Sequence, residues 1–364
     1  MKKFLLIVFI VLIIFPVFTF DSFATDIDIN TVWDVIDEQT KDYLDDLGVN
    51  EISFNDLFNL NPTRIFDFLI ELSFKSGSAI FDNIIKIVVI LIIVSIASSF
   101  FKESDKSQNI INFVGVLTIL SIIIVPISRM TIDAVSGIKT SMAFVNSYIP
   151  VMTAIIVASK NPGLAITYNT FSIFLSSIIT IVADKIFMPS ISAIISFNIL
   201  SSFSFENYRE RIILGFRRAI VIFLALFSTI YTGLLTTQSI LATSSDSLVL
   251  RGIKFISGAF VPVVGPGVAD ALSSVFSSFI IMKNTLGVFV IVVIILINLP
   301  VMTELLIWYF TLQFCSMISS MFGLNNITDI LDSLTSLNSL INIIMFFVTF
   351  VLVISTGVVI IIGK

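Results

Sequence analysis

Ile84-Ile85-Lys86-Ile87-Val88-Val89-Ile90-Leu91-Ile92-Ile93-Val94-Ser95-Ile96-Ala97-Ser98-Ser99-Phe100-Phe101 carries a single charge, and its reading decides the fold. A hydrocarbon layer ~30 Å thick takes about twenty apolar residues in a helix. Lipid offers no hydrogen bonds, so a crossing backbone must satisfy its own, which a helix does. Stretches of the same kind recur downstream. Ile110 to Ile127, Met142 to Ser159, Leu164 to Ala183, Ile186 to Phe203, Ala219 to Ala242 and Leu340 to Ile362 are each long enough, while Phe255 to Met282 and Leu286 to Phe322 are interrupted. The expectation is an all-α polytopic membrane bundle over residues 84–364, with about seven to nine crossings. The middle spans hold Asn, Pro, Ser and Thr and are expected to face protein rather than lipid.

Composition agrees. The chain is 57% hydrophobic and 12% charged, with a mean hydropathy of +1.08, too little polar surface to coat a water-soluble globule. The net charge of -5 is unevenly spread. Residues 25–83 hold thirteen acids against three bases, and residues 84–364 eleven against fifteen. Nucleic acid is therefore not an expected partner, whereas membrane lipid is. The one cysteine, Cys315, lies in an apolar run and reads as a small buried hydrophobe.

The amino terminus has the layout of a secretory signal over residues 1–24: Lys2 and Lys3, an apolar run from Phe4 to Phe20, then Ser22 and Ala24 as small residues at a cleavage site. An uncleaved anchor is the alternative, and both export the acidic stretch, residues 25–83. Within it, Val32, Ile36, Tyr43 and Leu47 recur at helical spacing after Asn30 and Thr31, with Asp34, Asp37, Glu38, Asp42 and Asp45 on the wet side and Gly48 as a stop. Asn61-Pro62 starts a second helix whose apolar face is read as Phe66, Leu69, Ile70 and Phe74. About sixty residues make a weak core alone, so these faces are expected to rest on the membrane domain, headgroups or another protein.

With the amino terminus exported, the excess of basic residues should mark the cytoplasmic side. Lys102, Lys106, Lys160, Arg209, Arg211, Arg217 and Arg218 then fall inside and Arg129, Lys139 and Lys185 outside, with the Arg209 to Arg218 cluster as the topological anchor. Farther on, glycine and proline interrupt an apolar helix between Arg251 and Leu272. Pro262 and Pro266 lack backbone donors, and Gly265 and Gly267 admit non-helical conformations. Such backbone survives at membrane depth only inside protein or beside a wet cavity, so a re-entrant or discontinuous segment is expected, with a plain interfacial turn as the alternative.

That stretch, Lys254-Phe255-Ile256-Ser257-Gly258, then Phe260-Val261-Pro262-Val263-Val264-Gly265, then Asp270-Ala271, resembles the signature region of the stage III sporulation protein AE family of endospore-forming bacteria. The layout of signal, acidic segment and polytopic region is similar too. The resemblance implies a permease-like, non-enzymatic membrane subunit of the channel complex that joins mother cell and forespore. Its implied partners are the other stage III A sporulation membrane proteins and, through the complex, a forespore membrane protein. It also implies that the acidic region faces the intermembrane space and the Arg-rich loop faces the mother-cell cytoplasm.

Ionisable groups inside the membrane are costly and mark function or pairing. Glu304 follows Asn298-Leu299-Pro300, where a discontinuous helix would place it on a polar path, or else a turn would separate two short spans. Asp270 is placed to pair with Lys254 or Lys283, and Asp184 with Lys185 and Arg129 with Asp133 read as interfacial charges. Pro150-Val151-Met152-Thr153 and Pro300-Val301-Met302-Thr303 repeat four letters, as paired broken helices of a transporter would. The chain has no histidine and no phosphate-cradling glycine loop, which excludes His-based catalysis and nucleotide binding of that type; no cofactor and no metal are expected. Three readings stay open: a subunit of a transenvelope channel complex, a stand-alone secondary transporter, or a structural scaffold.

Overall fold

The computed structural model describes residues 30–53, 56–57, 62–100, 106–159, 161–201, 215, 218–233 and 265–362, and among these there is no strand. Two short helices, α1 (Asn30–Asp34) and α2 (Glu38–Asp46), precede α3 (Pro62–Ser99), α4 (Lys106–Ala158) and α5 (Pro162–Val182). A single π-helical turn, Ala183–Phe187, links α5 to α6 (Met188–Ser201). Then come α7 (Arg218–Gly233), α8 (Gly265–Met321) and α9 (Asn325–Ile362).

The bundle is built on α4, α8 and α9. Helix α9 runs parallel to α4, since Tyr148 meets Thr356 at 2.9 Å and Gly137 lies beside Met345. Helix α8 runs against both: Asn298 meets Ser141, and Gly287 lies between Met152 and Ile360. Helix α3 is antiparallel to α4, with the Ser98 hydroxyl donating to the Asn112 side-chain oxygen at 3.0 Å. On the other flank, α5 returns along α4, and α7 joins α9 through the Tyr231 hydroxyl, which donates to the Val351 carbonyl at 2.8 Å.

Among the described residues, five helical stretches are long and apolar enough to cross a membrane: Ile80–Ser99, Ile110–Ala158, Pro162–Phe197, Ser277–Met321 and Asn325–Ile361. Three pairs of sequence runs are merged. Ile110 to Ile127 and Met142 to Ser159 lie on α4; Leu164 to Ala183 and Ile186 to Phe203 are joined through the π turn as far as α6 is described; and Met282 and Leu286 lie on α8 with no gap. A charge or proline ends an apolar run in sequence without ending a helix, because each helical hydrogen bond is local and proline removes only one donor. Pro126, Pro150 and Pro300 all sit inside helices. At ~1.5 Å per residue, the 53 residues of α4 reach about 80 Å, well beyond one hydrocarbon layer.

The merger corrects the charge tally. Lys106 opens the continuous helix α4, and Lys160 lies outside the described residues. Arg129 and Lys139 are mid-helix residues rather than an outer loop. Arg209, Arg211 and Arg217 of the expected anchor lie outside the described residues, as does the signal segment, whereas Arg218 opens α7 and is exposed.

The acidic segment folds as two helices instead of one. Asp37 caps α2 by accepting the Thr40 N–H at 3.1 Å, and Gly48, at φ 82°, supplies the left-handed turn that ends it. Its apolar side rests on the bundle, as expected for so small a core: Val32, Leu44 and Val49 are buried, Trp33 stacks on Phe289 with ring centres 5.7 Å apart, and Tyr43 meets Phe68 edge-on. The start of α3 is as read, but its inward face is not. Phe66 and Phe74 are 63% and 74% exposed, while Phe68 and Leu72 are buried. Apolarity alone does not choose the inward face where a lipid-facing surface is apolar as well. Helix α3 continues through Asn83 and Ile84, so the acidic region joins the membrane region through a helix, not a linker.

Candidate functional site

Polar side chains gather at mid-length of the long helices. On α4, Gly137 and Ser141 are small residues one turn apart and admit the side chain of Asn298 from α8. A Cβ at Gly137 would lie 3.4 Å from Asn298 Oδ1, so a side chain longer than alanine displaces the amide. Asn298 is fully buried; its Nδ2 donates to Ser141 Oγ and to the Ile294 carbonyl, both at 2.8 Å. From α9, Asn338 Nδ2 donates to the Leu305 carbonyl at 2.7 Å, and Asn342 follows one turn later. The side-chain oxygens of Asn298, Asn338 and Asn342 are buried and accept no hydrogen bond from the described residues. Pro300 adds a fourth acceptor, since it has no N–H for the Leu296 carbonyl. The tier therefore holds buried acceptors that find no donor among the described residues.

Charged pairs lie on the exposed sides of the same helices. Arg129 Nε lies 3.7 Å from Asp133 Oδ2 one turn along α4, and Glu304 on α8 is within electrostatic range of both. Lys139 Nζ lies 2.7 Å from Asp184 Oδ1, tying α4 to the π turn. A single π turn inside an α-helix is uncommon and often accompanies function. Both ion pairs are partly exposed, so each contributes about 0–1 kcal/mol in water. Reversing one charge, Lys139→Glu, is expected to lower stability by about 1 kcal/mol, and adding Asp184→Lys to recover most of it. Thermal unfolding in detergent of the two single variants and the double swap measures this.

The tier recasts several residues singled out in the sequence. Glu304 and Pro300 belong to it, but on a continuous helix, neither at a break nor at a turn between short spans. Pro150 lies higher on α4, also inside a continuous helix. Of the residues read as interfacial charges, Arg129 lies beside Asp133, and Asp184 pairs with Lys139, a residue read as an outer-loop cation. Lys254, Gly258 and Pro262 lie outside the described residues. Gly265, Pro266 and Gly267 form the first turn of α8, where proline has no helical bond to lose, so this part of the stretch starts a helix. Asp270 and Lys283 are thirteen residues apart on that helix, about 20 Å at its rise, too far to pair. Asn298, Ser141, Gly137 and Asn338 were not singled out for the site. An amide in an apolar run and small residues four apart were the available signals.

The fold and the tier define a class: a helical membrane protein whose long helices carry a charged, amide-lined layer at mid-length. The family model described as Stage III sporulation protein AE matches residues 46–363, and the chain belongs to that family. It is 29% identical over 230 residues to Stage III sporulation protein AE of Bacillus subtilis (strain 168), an alignment covering 62% of this chain and 56% of that relative's length. No solved structure matches. Membership assigns the chain to sporulation, and the five apolar helices make it a membrane protein of a sporulating cell.

Proposed function

We propose that the chain is a non-enzymatic, permease-like subunit of the multiprotein channel or secretion complex linking mother cell and forespore, and that it supports late forespore development. It resides in the mother-cell membrane around the forespore, with the acidic segment exported to the intermembrane space. Its partners are other stage III A sporulation membrane proteins and, through the complex, a forespore membrane protein.

The observation that carries this reading, beside the family, is how the acidic segment is mounted. Helices α1 and α2 are held to the bundle by Val32, Leu44 and the Trp33 to Phe289 stack, while Asp34, Asp37, Glu38, Asp42 and Asp45 face outward. Fixed charges on a supported surface suit docking, because the partner orders few side chains on binding. The test is purification from sporulating cells in mild detergent. Recovery of other stage III A membrane proteins is the expected result, reduced when these five acids are changed to Asn or Gln. Recovery of none from fully extracted, folded protein overturns the reading.

The buried acceptors of Asn298, Asn338 and Asn342 favour a second reading, a stand-alone secondary transporter. Solute flux through liposomes holding the purified protein alone supports it, and tight liposomes dismiss it.

A further inference from the structure

Helix α3 carries an apolar stripe that the bundle does not use. Phe68 and Leu72 turn inward, while Phe66, Ile70 and Phe74 point the opposite way, 63%, 38% and 74% exposed. Phe81, 61% exposed, continues the line. Between Phe74 and Phe81, Gly77 leaves an open notch, since a Cβ there would meet nothing within 4 Å. Positions 66, 70, 74, 77 and 81 recur at three- and four-residue steps, which keeps them on one side of a helix.

Lipid does not reach the upper part of this stripe. The apolar stretch of α3 is Ile80–Ser99, 20 residues, which matches the hydrocarbon layer. At ~1.5 Å per residue, Phe74 stands about 9 Å and Phe66 about 21 Å beyond its outer end, past a headgroup layer of about 5–8 Å. Asp67, Glu71 and Lys75 are exposed on the same turns, and charges so placed belong in water. Single exposed apolar residues are ordinary on a wet surface, but a row of large ones edged with charge marks a protein contact.

The charges decide which kind of protein. Asp67 and Glu71 run along the edge of the stripe, each one position after a stripe residue. Helix α2 packs beside α3 through Tyr43 and Phe68 and adds exposed Asp42, Asp45 and Asp46. Arg64 is turned to the end of α2, its guanidinium 2.5 Å from where a Cβ of Gly48 would stand. That leaves Lys41 and Lys75 against these five acids, and the field beside the stripe is negative. A second copy would set acid against acid, whereas a basic segment is drawn in and held in register. A straight stripe on a helix is matched by another helix laid along it. We infer that the Phe66, Ile70 and Phe74 stripe docks an amphipathic helix of a partner protein outside the membrane, apolar where it meets the phenylalanines and rich in Lys or Arg beside Asp67 and Glu71. This rests on the reading of the chain as a subunit of a membrane complex and names the chemistry of one contact within it.

The test uses the full chain in membranes of sporulating cells, with a photo-crosslinking phenylalanine analogue in place of Phe74. The expected product is an adduct with another stage III A membrane protein, mapped by mass spectrometry to a Lys- or Arg-rich amphipathic helix. Asp67→Lys with Glu71→Lys should cut its yield about tenfold, and Asp67→Asn with Glu71→Gln should cut it less. Phe66→Ser should also cut it. All these side chains lie on the surface, so the variants are expected to stay folded, which abundance in the membrane and circular dichroism check. The inference is overturned if position 74 labels only lipid, a second copy or a segment without basic residues, or if reversing the two acids leaves the yield unchanged. None of those results touches the larger reading, which stands or falls separately on whether the parent chain recovers any stage III A membrane protein.

Discussion

Trp308→Ala is expected to destabilise the bundle by about 3–5 kcal/mol, whereas Phe310→Ala, two positions on, stays within about 0.5 kcal/mol. Trp308 is 1% exposed and the largest fully buried side chain among the described residues. It shares one face of α8 with Leu305, Leu312 and Cys315, all completely buried. Truncation there leaves a void that helices held by packing on both sides close only in part, and no lipid reaches it. Phe310 points outward at 67% exposure, where acyl chains replace the ring at little cost. Unfolding in detergent of both variants beside the parent decides the matter; equal losses would mean that the interior of the bundle is misplaced.

The kind of fold was legible because its determinant is one-dimensional: a long apolar run has few places to go other than a bilayer or a core. The boundaries were not, because they depend on what surrounds each helix. Arg129, Asp133 and Lys139 read as a loop between spans, yet a helix longer than the hydrocarbon layer carries charges at mid-length without bending. On α3 the reading chose Phe66, Leu69, Ile70 and Phe74 as the packed face, and the bundle buried Phe68 and Leu72. A pattern of apolar positions has no preferred side when lipid accepts apolar groups as readily as protein does.

The site was legible in part for the same reason. Pro300 and Glu304 stand out locally, a helix breaker and a charge in an apolar run, and both belong to the tier. The pairing of Lys139 with Asp184 joins positions forty-five residues apart, and the seating of Asn298 against Ser141 joins positions farther apart still. Both are set by how α4 lies against the π turn and against α8, which no local pattern states.

Gly287→Leu is the second change expected to act strongly, with a loss of about 3 kcal/mol. At Gly287, α8 and α9 come together: a Cβ there would lie 2.5 Å from Ile360 Cγ1 and 2.7 Å from its Cδ1. Helices in lipid associate mainly by close packing, because leaving the acyl chains brings little hydrophobic gain. A glycine at the contact therefore matters more than its missing side chain suggests. Gly287→Ala makes Ile360 shift, and Gly287→Leu makes the helices part. Combining Gly287→Ala with Ile360→Ala returns the volume and should recover most of the loss, so the double-mutant cycle shows a coupling of about 1 kcal/mol or more. Gly357, on α9 one turn before the contact, has nothing within 4 Å of a built Cβ. Gly357→Ala is expected to stabilise by about 0.5–1 kcal/mol through helix propensity alone. Unfolding in detergent and protein abundance in sporulating cells give two readouts, and they should rank the variants alike, since a loss of this size lowers abundance several-fold. A Gly287→Leu protein as stable as the parent would show that α8 and α9 do not meet at this residue.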